Sequence, residues 1–365
     1  MNTTKHPAAR IAFSVLLLLT ANACFVQIDG EMGFAEFEME GGINNFVSGS
    51  WEADTPIARG TILSVEARSD EDLGLIDLRS SNLEVLIPYS ESEEPAEGDV
   101  GFFQAVGTGR VAIELIDVTT EELLDFYTVD VEVVDAVRLL RRSGQVLKLE
   151  PEAAPDSFGV LDLTPVSLGI ELRDSTDHVM NHHHAATASS ADEAVLSATA
   201  GGTIVLLEGS GGGNTELTVS TVEDEASASY EVHSLGESEI TQLLLRETGE
   251  CHVDTFILAA DLSSADDLPV LGVPVSWQVT GAQSVVENED YIQVSYDEDE
   301  FEPITVTAVT ATLTASFNLT EAHQCPETES SGCSMSSPAQ GENLLGPVLL
   351  GLMGLPLLLR RRTHR

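Results

Sequence analysis

Apolar and polar residues alternate in short runs along the central part of the chain. The runs at 111–115, 129–133, 166–172, 273–279 and 313–319 each place apolar residues at every second position. A period of two is typical of β-strands that bury one face. Turn-forming glycines separate the runs, and no sustained helical period lies between them. This pattern predicts antiparallel β-sandwiches.

The strand pattern divides into three blocks of similar length. We place them at 24–137, 138–235 and 236–322, and each ends on a strand of alternating small or apolar residues. Each block has about the 100 residues that an antiparallel sandwich of seven strands needs. The sequence therefore predicts an all-β fold of tandem sandwiches.

One motif in the third block resembles bacterial Ig-like repeats. Residues 271–277 read Leu-Gly-Val-Pro-Val-Ser-Trp. In those repeats a Gly-x-Pro-Val turn leads into a strand whose aromatic residue fills the core. Residues 303–308 and 312–319 resemble their closing hairpin, and the first two blocks resemble the repeats more loosely. The resemblance implies Ig-like sandwiches with adhesive, spacer or carbohydrate-contacting roles, and it fixes no single chemistry.

The N-terminus has the pattern of a secretory signal peptide over residues 1–23. Lys5 and Arg10 precede an apolar run at 11–19, which is followed by Ala-Asn-Ala at 21–23. Cleavage is expected after Ala23. The next residue, Cys24, resembles the lipidated first residue of bacterial lipoproteins, although Ala21 stands where those usually carry leucine. Ordinary cleavage and lipidation of Cys24 both remain open.

The C-terminus has three parts that suit a sorting signal. A Ser/Gly/Cys linker at 323–343 contains Cys333, and the segment 344–365 begins as an apolar run. Arg360, Arg361 and Arg362 follow that run, and such a cluster stays on the cytoplasmic side of a membrane. The tail resembles the MYXO-CTERM signals of myxobacteria. That resemblance implies trimming near Cys333 and display at the cell surface or outer membrane; the alternative is a retained single-pass hydrophobic helix.

The charge balance excludes one class of partner. The chain of 365 residues has 61 acidic and 16 basic residues, a formal net charge of −45. Such a chain is repelled by the phosphate backbone, so we expect no nucleic-acid partner. From Asp174 to Gly341 the sole basic residue is Arg246. A salty habitat, in which screening tolerates dense like charge, is one hypothesis for this acidity.

Metal and cysteine chemistry offers few candidates. His178 and His182 are four residues apart and could bind zinc or copper weakly, but no cysteine lies beside them, so we expect no functional metal site. Runs of carboxylates at 70–72, 266–267 and 297–300 could bind Ca²⁺, although none has the spacing of a calcium loop. No other cofactor is expected.

Two cysteines that bracket the third block could form a disulfide. Cys251 lies near the start of that block and Cys325 just after its end, and an exported chain meets oxidising conditions. Pairing of Cys325 with Cys333 is the alternative, and the sequence does not choose between them.

No catalytic motif is present in the sequence. It contains no Gly-x-Ser-x-Gly, no His-Glu-x-x-His and no phosphate-binding loop. We therefore expect a non-enzymatic spacer or adhesion protein, anchored in the membrane through its termini. Its expected partners are the export and sorting machinery and a surface ligand, either a glycan or a protein. The alternatives are a carbohydrate- or calcium-dependent binding module, with Trp51 or an acidic loop at its site, and a surface hydrolase with an acidic dyad.

Overall fold

A computed structural model describes most of the central part of the chain. The described residues are 26–40, 55–69, 75–89, 100–142, 152–248, 254–287, 290–297 and 300–323. They form 26 β-strands and one short 3₁₀-helix, Glu237–Glu239. The all-β prediction is confirmed. The predicted signal peptide and C-terminal hydrophobic helix lie outside the described residues.

The first sandwich consists of nine strands around one apolar core. They are β1 (Val26–Asp29), β2 (Glu36–Glu40), β3 (Ile57–Ala58), β4 (Ile62–Arg68), β5 (Ile76–Ser80), β6 (Leu86–Pro88), β7 (Val100–Ala105), β8 (Gly109–Asp117) and β9 (Glu122–Glu132). One sheet has the order β1-β2-β4-β7-β6 and the other β3-β9-β8-β5. Alternation on β8 buries Val111, Ile113 and Leu115 between the two sheets.

The second sandwich follows the same plan. Its strands are β10 (Ala136–Arg142), β11 (Glu152–Ala153), β12 (Ser157–Leu161), β13 (Pro165–Arg173), β14 (Ala186–Ser190), β15 (Leu196–Gly201), β16 (Ile204–Gly209), β17 (Gly213–Thr221) and β18 (Ser227–Leu235). One sheet has the order β11-β10-β13-β16-β15, and β14-β17-β18-β12 begins the other. On β13 the alternating residues Val166, Leu168, Ile170 and Leu172 are buried, as their pattern predicts.

The third sandwich has fewer strands. They are β19 (Ile240–Thr248), β20 (Thr255–Ser264), β21 (Pro269–Leu271), β22 (Ser276–Thr280), β23 (Ser284–Glu287), β24 (Tyr291–Ser295), β25 (Ile304–Val309) and β26 (Thr314–Leu319). β19 pairs with β20 in one sheet, where β24 and β23 follow, and β22-β25-β26 form the other. Trp277 of β22 is 8% exposed and lies in the core, as the Ig-like motif predicts.

The three sandwiches share one strand topology. In the letter scheme for Ig domains, β2-β4-β7-β6, β10-β13-β16-β15 and β19-β20-β24-β23 are the A-B-E-D sheets. The C-F-G sheets are β5-β8-β9, β14-β17-β18 and β22-β25-β26. In the first two sandwiches an additional strand, β3 or β12, pairs in parallel with the last strand. The prediction of tandem Ig-like sandwiches is thus confirmed.

The alternation predicts two strand ends incorrectly. Val133 lies beyond the end of β9 and is 51% exposed, and the next residue, Val134, is buried instead. Val273 and Val275 precede β22 because the chain turns at Gly272, where φ is +71°. Among the described residues, no helix has the length and hydrophobicity needed to cross a membrane.

Candidate functional site

The contacts that set this chain apart from three independent sandwiches lie at the two boundaries between sandwiches. We call the boundary of the first and second sandwiches the first seam. There the backbone of Ala58 donates to the carbonyl of Asn181 (2.8 Å), and Asn181 donates to the carbonyl of Pro56 (2.9 Å). Ile62 donates to the carbonyl of His183 (3.0 Å). The loop before β14 is therefore hydrogen-bonded to one edge of β3 and to the first residue of β4.

An ion pair reinforces the first seam. Arg59 Nη2 lies 2.5 Å from Glu225 Oε1, and the Glu225 side chain is only 5% exposed. Glu225 Oε2 accepts a hydrogen bond from the backbone of Val134 (2.8 Å), at the junction between β9 and β10. Ala58 also belongs to the apolar core of the second sandwich. Charge, backbone bonds and apolar burial therefore all join the first sandwich to the second.

A buried histidine supports the loop at this seam. His182 is 1% exposed, and its Nε2 lies 3.0 Å from the carbonyl oxygen of Ile170. A carbonyl only accepts, so Nε2 carries the proton and Nδ1 of the neutral ring faces no described donor. Burial lowers the pKa of His182 to about 4. Burial, together with the repulsion between its ring and that of His184, lowers the pKa of His183 to about 4. Both rings are neutral at pH 7.

The second seam joins the second and third sandwiches through a shared strand. β12 pairs in parallel with β18 of its own sandwich and, along its other edge, with β21 of the third. β21 in turn pairs with β20. A nine-stranded sheet therefore runs through both sandwiches. β12 is therefore hydrogen-bonded to strands of both the second and the third sandwich.

Side chains cross the second seam in both directions. Leu271, the last residue of β21, lies in the core of the second sandwich, whereas Leu235 of β18 lies in the core of the third. Two glycines permit this approach. A Cβ at Gly159 would lie 2.6 Å from Leu235 Cδ1, and a Cβ at Gly272 would overlap Val166 Cγ2.

Four charged side chains close the second seam. Arg141 pairs with Glu152 and lies 3.6 Å from Asp261 Oδ1. Arg246 places Nε 2.8 Å from Asp261 Oδ2 and Nη2 3.3 Å from Glu152 Oε2. Arg141 and Glu152 belong to the second sandwich, and Arg246 and Asp261 to the third. Each arginine thus contacts both carboxylates, so the pairing extends across the boundary.

A buried carboxylate organises the turn between β1 and β2. Asp125 is fully buried and accepts hydrogen bonds from the backbone N–H groups of Met32, Phe34, Ala35 and Phe126 at 2.7–2.8 Å. Burial alone would raise the pKa of Asp125, but the four donors outweigh it and the pKa lies below its ordinary value. The carboxylate is structural.

The two histidines predicted as weak metal candidates have different partners. His178 is exposed and belongs to a turn in which Asp174 Oδ1 accepts hydrogen bonds from the backbone of Thr176 (2.7 Å) and of His178 (2.9 Å). His182 is buried against Ile170. Within the described ranges, no group of three His, Cys, Asp or Glu residues is placed to hold a metal ion.

A polar cleft of about 360 Å³ opens beside the first seam. Asp130, Glu132 and Asp135 line it, and Ser175 borders it from the second sandwich. Arg110 partly neutralises this wall, because its Nη2 lies 2.7 Å from Asp130 Oδ2. The cleft combines acidic oxygens with the hydroxyls of Thr108 and Ser175, without a histidine or cysteine among its lining residues.

Most of the predicted site residues lie outside the described residues. These are the processing residues Ala23, Cys24, Cys333 and Arg360–Arg362, the disulfide candidates Cys251 and Cys325, and Trp51. Of the three predicted acidic loops, only the one at Asp266 and Asp267 is described in full. The predictions for all these positions, including calcium binding, stay predictions.

The residues at the seams are the ones that the sequence did not predict. Arg59, Arg141, Glu225 and Asp261 have no local signature, because their partners are distant in sequence. A usable signal was the scarcity of basic residues. Arg246, which stands alone among the bases from Asp174 to Gly341, lies at the second seam.

Comparison with known proteins gives similarities to solved structures alone. No family model matches the chain, and no curated protein matches it. Domains 4–9 of the surface layer protein SbsC share 13% identity with it at a TM-score of 0.32, covering 79% of this chain and 47% of that one. The present chain therefore matches about half of the length of that fragment.

Two further solved structures are similar over most of their length. The Escherichia coli adhesin FdeC shares 12% identity at a TM-score of 0.23, covering 76% of this chain and all of that one. The I9–I11 tandem of titin shares 11% identity at a TM-score of 0.20, covering 78% of this chain and all of that one. Similarities at such scores assign neither a family nor a function, so the fold class rests on the strand order of the chain itself.

Proposed function

We propose that this chain is an exported surface protein whose Ig-like sandwiches act as a rigid spacer or adhesion element without catalytic activity. The observation that carries the proposal is the shared strand β12, which bonds the second and third sandwiches along both of its edges. A spacer must resist bending between its domains, and domains that share a sheet cannot rotate freely. Flexible linkers would serve this purpose poorly.

The first seam supports the same proposal. Backbone bonds at Asn181 and the pair of Arg59 with Glu225 fix the first sandwich against the second. Three of the few arginines, Arg59, Arg141 and Arg246, lie at the seams. The chain has 61 acidic residues with which these arginines could pair elsewhere, so their position at the seams supports a structural role for the seams. The terminal patterns at 1–23 and 323–365 supply export and anchoring in this proposal.

Processing and location are tested on the protein in its native cells. We expect the intact mass to fall below that of 365 residues by both termini, with an added acyl mass if Cys24 is lipidated. Protease added to whole cells should degrade the chain. A Cys333→Ala variant is the matched control, and it should keep the C-terminal segment. Recovery of the untrimmed chain from the cytosol would overturn the proposal.

Rigidity is tested by hydrogen exchange. The amides of β12 should be protected as strongly as those of the core strand β13, because both edges of β12 are bonded. Protection of β12 at the level of fraying chain ends, with β13 fully protected, would contradict a rigid connection between the sandwiches and hence the spacer role.

A further inference from the structure

Among the described residues, the third sandwich has no counterpart of the extra strand found in the other two. In the first and second sandwiches, β3 and β12 pair in parallel with the last strand and cover its outer edge. Those strands come from the long connections 41–61 and 143–164. In the third sandwich the connection from β19 to β20 is shorter and comprises residues 249–254. Among the described residues, the backbone of β26 is paired with β25 alone.

Within the part of the chain that the structure describes, β26 has no charged residue, no proline and no bulge. Exposed edge strands normally avoid pairing with other chains through charges, proline or bulges. β26 has the sequence Thr-Ala-Ser-Phe-Asn-Leu, and its register with β25 is regular. The whole sheet β22-β25-β26 contains no Asp, Glu, Lys, Arg or His. In a chain with a net charge of −45, this uncharged sheet is a surface that adds no charge repulsion of its own between two copies.

The last described residue packs against the other sheet of the third sandwich. His323, the last described residue, donates its backbone N–H to the hydroxyl of Tyr296 (3.0 Å), and its ring lies 5.7 Å from that of Phe256. Its Nε2 lies 3.4 Å from Glu247. Phe256 belongs to β20 and Glu247 to β19, so the last described residue lies against the A-B-E-D sheet.

The edge is complementary to itself. With Ser316 opposite Ser316 in an antiparallel pair, Ala315 faces Phe317 on the inner side and Thr314 faces Asn318 on the outer side. We propose that β26 pairs in this register with β26 of a second copy, which joins two C-F-G sheets into one sheet of six strands. A two-fold arrangement is the commonest one for homodimers.

Charge gives the dimer a distinctive salt dependence. The contact itself is uncharged, whereas the rest of each copy repels the other. The screening length falls from about 30 Å at 0.01 M salt to about 3 Å at 1 M. Association should therefore strengthen as salt rises, which is the opposite of an interface held by ion pairs.

Sedimentation velocity on the full-length chain tests the proposal. We expect a dimer whose fraction rises from low to high NaCl. Ser316→Lys places like charges directly opposite each other at the two-fold axis and should weaken dimerisation about fivefold or more. The matched control is Ser229→Lys, an exposed serine on the equivalent strand β18, which should dimerise like the wild type.

Three results would overturn the proposal. They are a wild type that stays monomeric at every salt concentration, a Ser316→Lys variant that dimerises as well as the wild type, and dimerisation that weakens as salt rises. Because Ser316 is exposed, the Ser316→Lys variant should keep the near-UV circular dichroism and thermal midpoint of the wild type. These measurements separate a lost contact from a lost fold. The spacer proposal does not depend on the outcome.

Discussion

Arg59 and Glu225 form an ion pair between two sandwiches, with Nη2 2.5 Å from Oε1. The guanidinium is 29% exposed and the carboxylate 5%. The same Oε1 makes no aligned hydrogen bond, so the contact is mainly one of charge. Removing the arginine would leave a buried carboxylate held by the backbone of Val134 alone.

Arg59→Ala should therefore destabilise the protein by about 3 kcal/mol, since an uncompensated buried charge is costly. The measurement is the free energy of unfolding in urea. Arg110→Ala, which removes an exposed partner of Asp130, is the control and should stay close to the wild type. Arg59→Ala combined with Glu225→Leu should recover much of the loss. Equal losses of unfolding free energy in Arg59→Ala and Arg110→Ala would contradict a stabilising role for the ion pair of Arg59 with Glu225.

Gly272→Ala should weaken the second seam. At φ of +71° an alanine costs about 1–2 kcal/mol, and its Cβ would overlap Val166 of the second sandwich, which adds about 1–3 kcal/mol. Gly212→Ala is the matched control, because its φ is +68° and no atom lies within 4 Å of the added Cβ. Thermal unfolding should show the larger loss for Gly272→Ala. A loss of thermal stability no larger than that of Gly212→Ala would mean that the second seam accommodates the added Cβ without cost.

The buried His182 should make stability depend on pH. Its pKa is about 4 in the folded protein and about 6.5 in the unfolded chain, so the unfolded chain binds the proton first as pH falls. Stability should therefore drop between pH 6.5 and 4, by up to about 3 kcal/mol from this group. His182→Gln should lose less over that interval. His178→Gln, at an exposed position, is the control; a pH profile of His182→Gln that runs parallel to the wild type would contradict this assignment.

Asp125→Asn tests the buried carboxylate of the first sandwich. The amide can accept through one oxygen only, and its NH₂ group would face backbone donors, so we expect a loss of about 3 kcal/mol. Because the folded pKa of Asp125 is lowered, the wild type should lose this contribution as pH falls below the ordinary carboxyl range. Asp117→Asn, at an exposed turn, serves as the comparison in the same urea titration. A variant as stable as the wild type at pH 7 would show that the four hydrogen bonds are dispensable.

The sequence predicts the strands and their inner faces well, because alternation is a local property. Val111, Ile113, Leu168 and Trp277 are buried where the pattern puts them. It predicts the seams poorly. Nothing in the five residues of β12 indicates that the second neighbour of this strand belongs to another sandwich. Ion pairs such as Arg59 with Glu225 depend on a close approach that only the folded chain establishes.

The sharing of β12 has a consequence for how such a chain can evolve. A segment that ends after residue 235 would leave one edge of β12 without its neighbour β21. A segment that starts at 236 would lack β12, the strand with which β21 pairs. Gene fragments that encode either sandwich alone would thus be poor parts for recombination. The smallest piece that can be duplicated or transplanted intact is the pair.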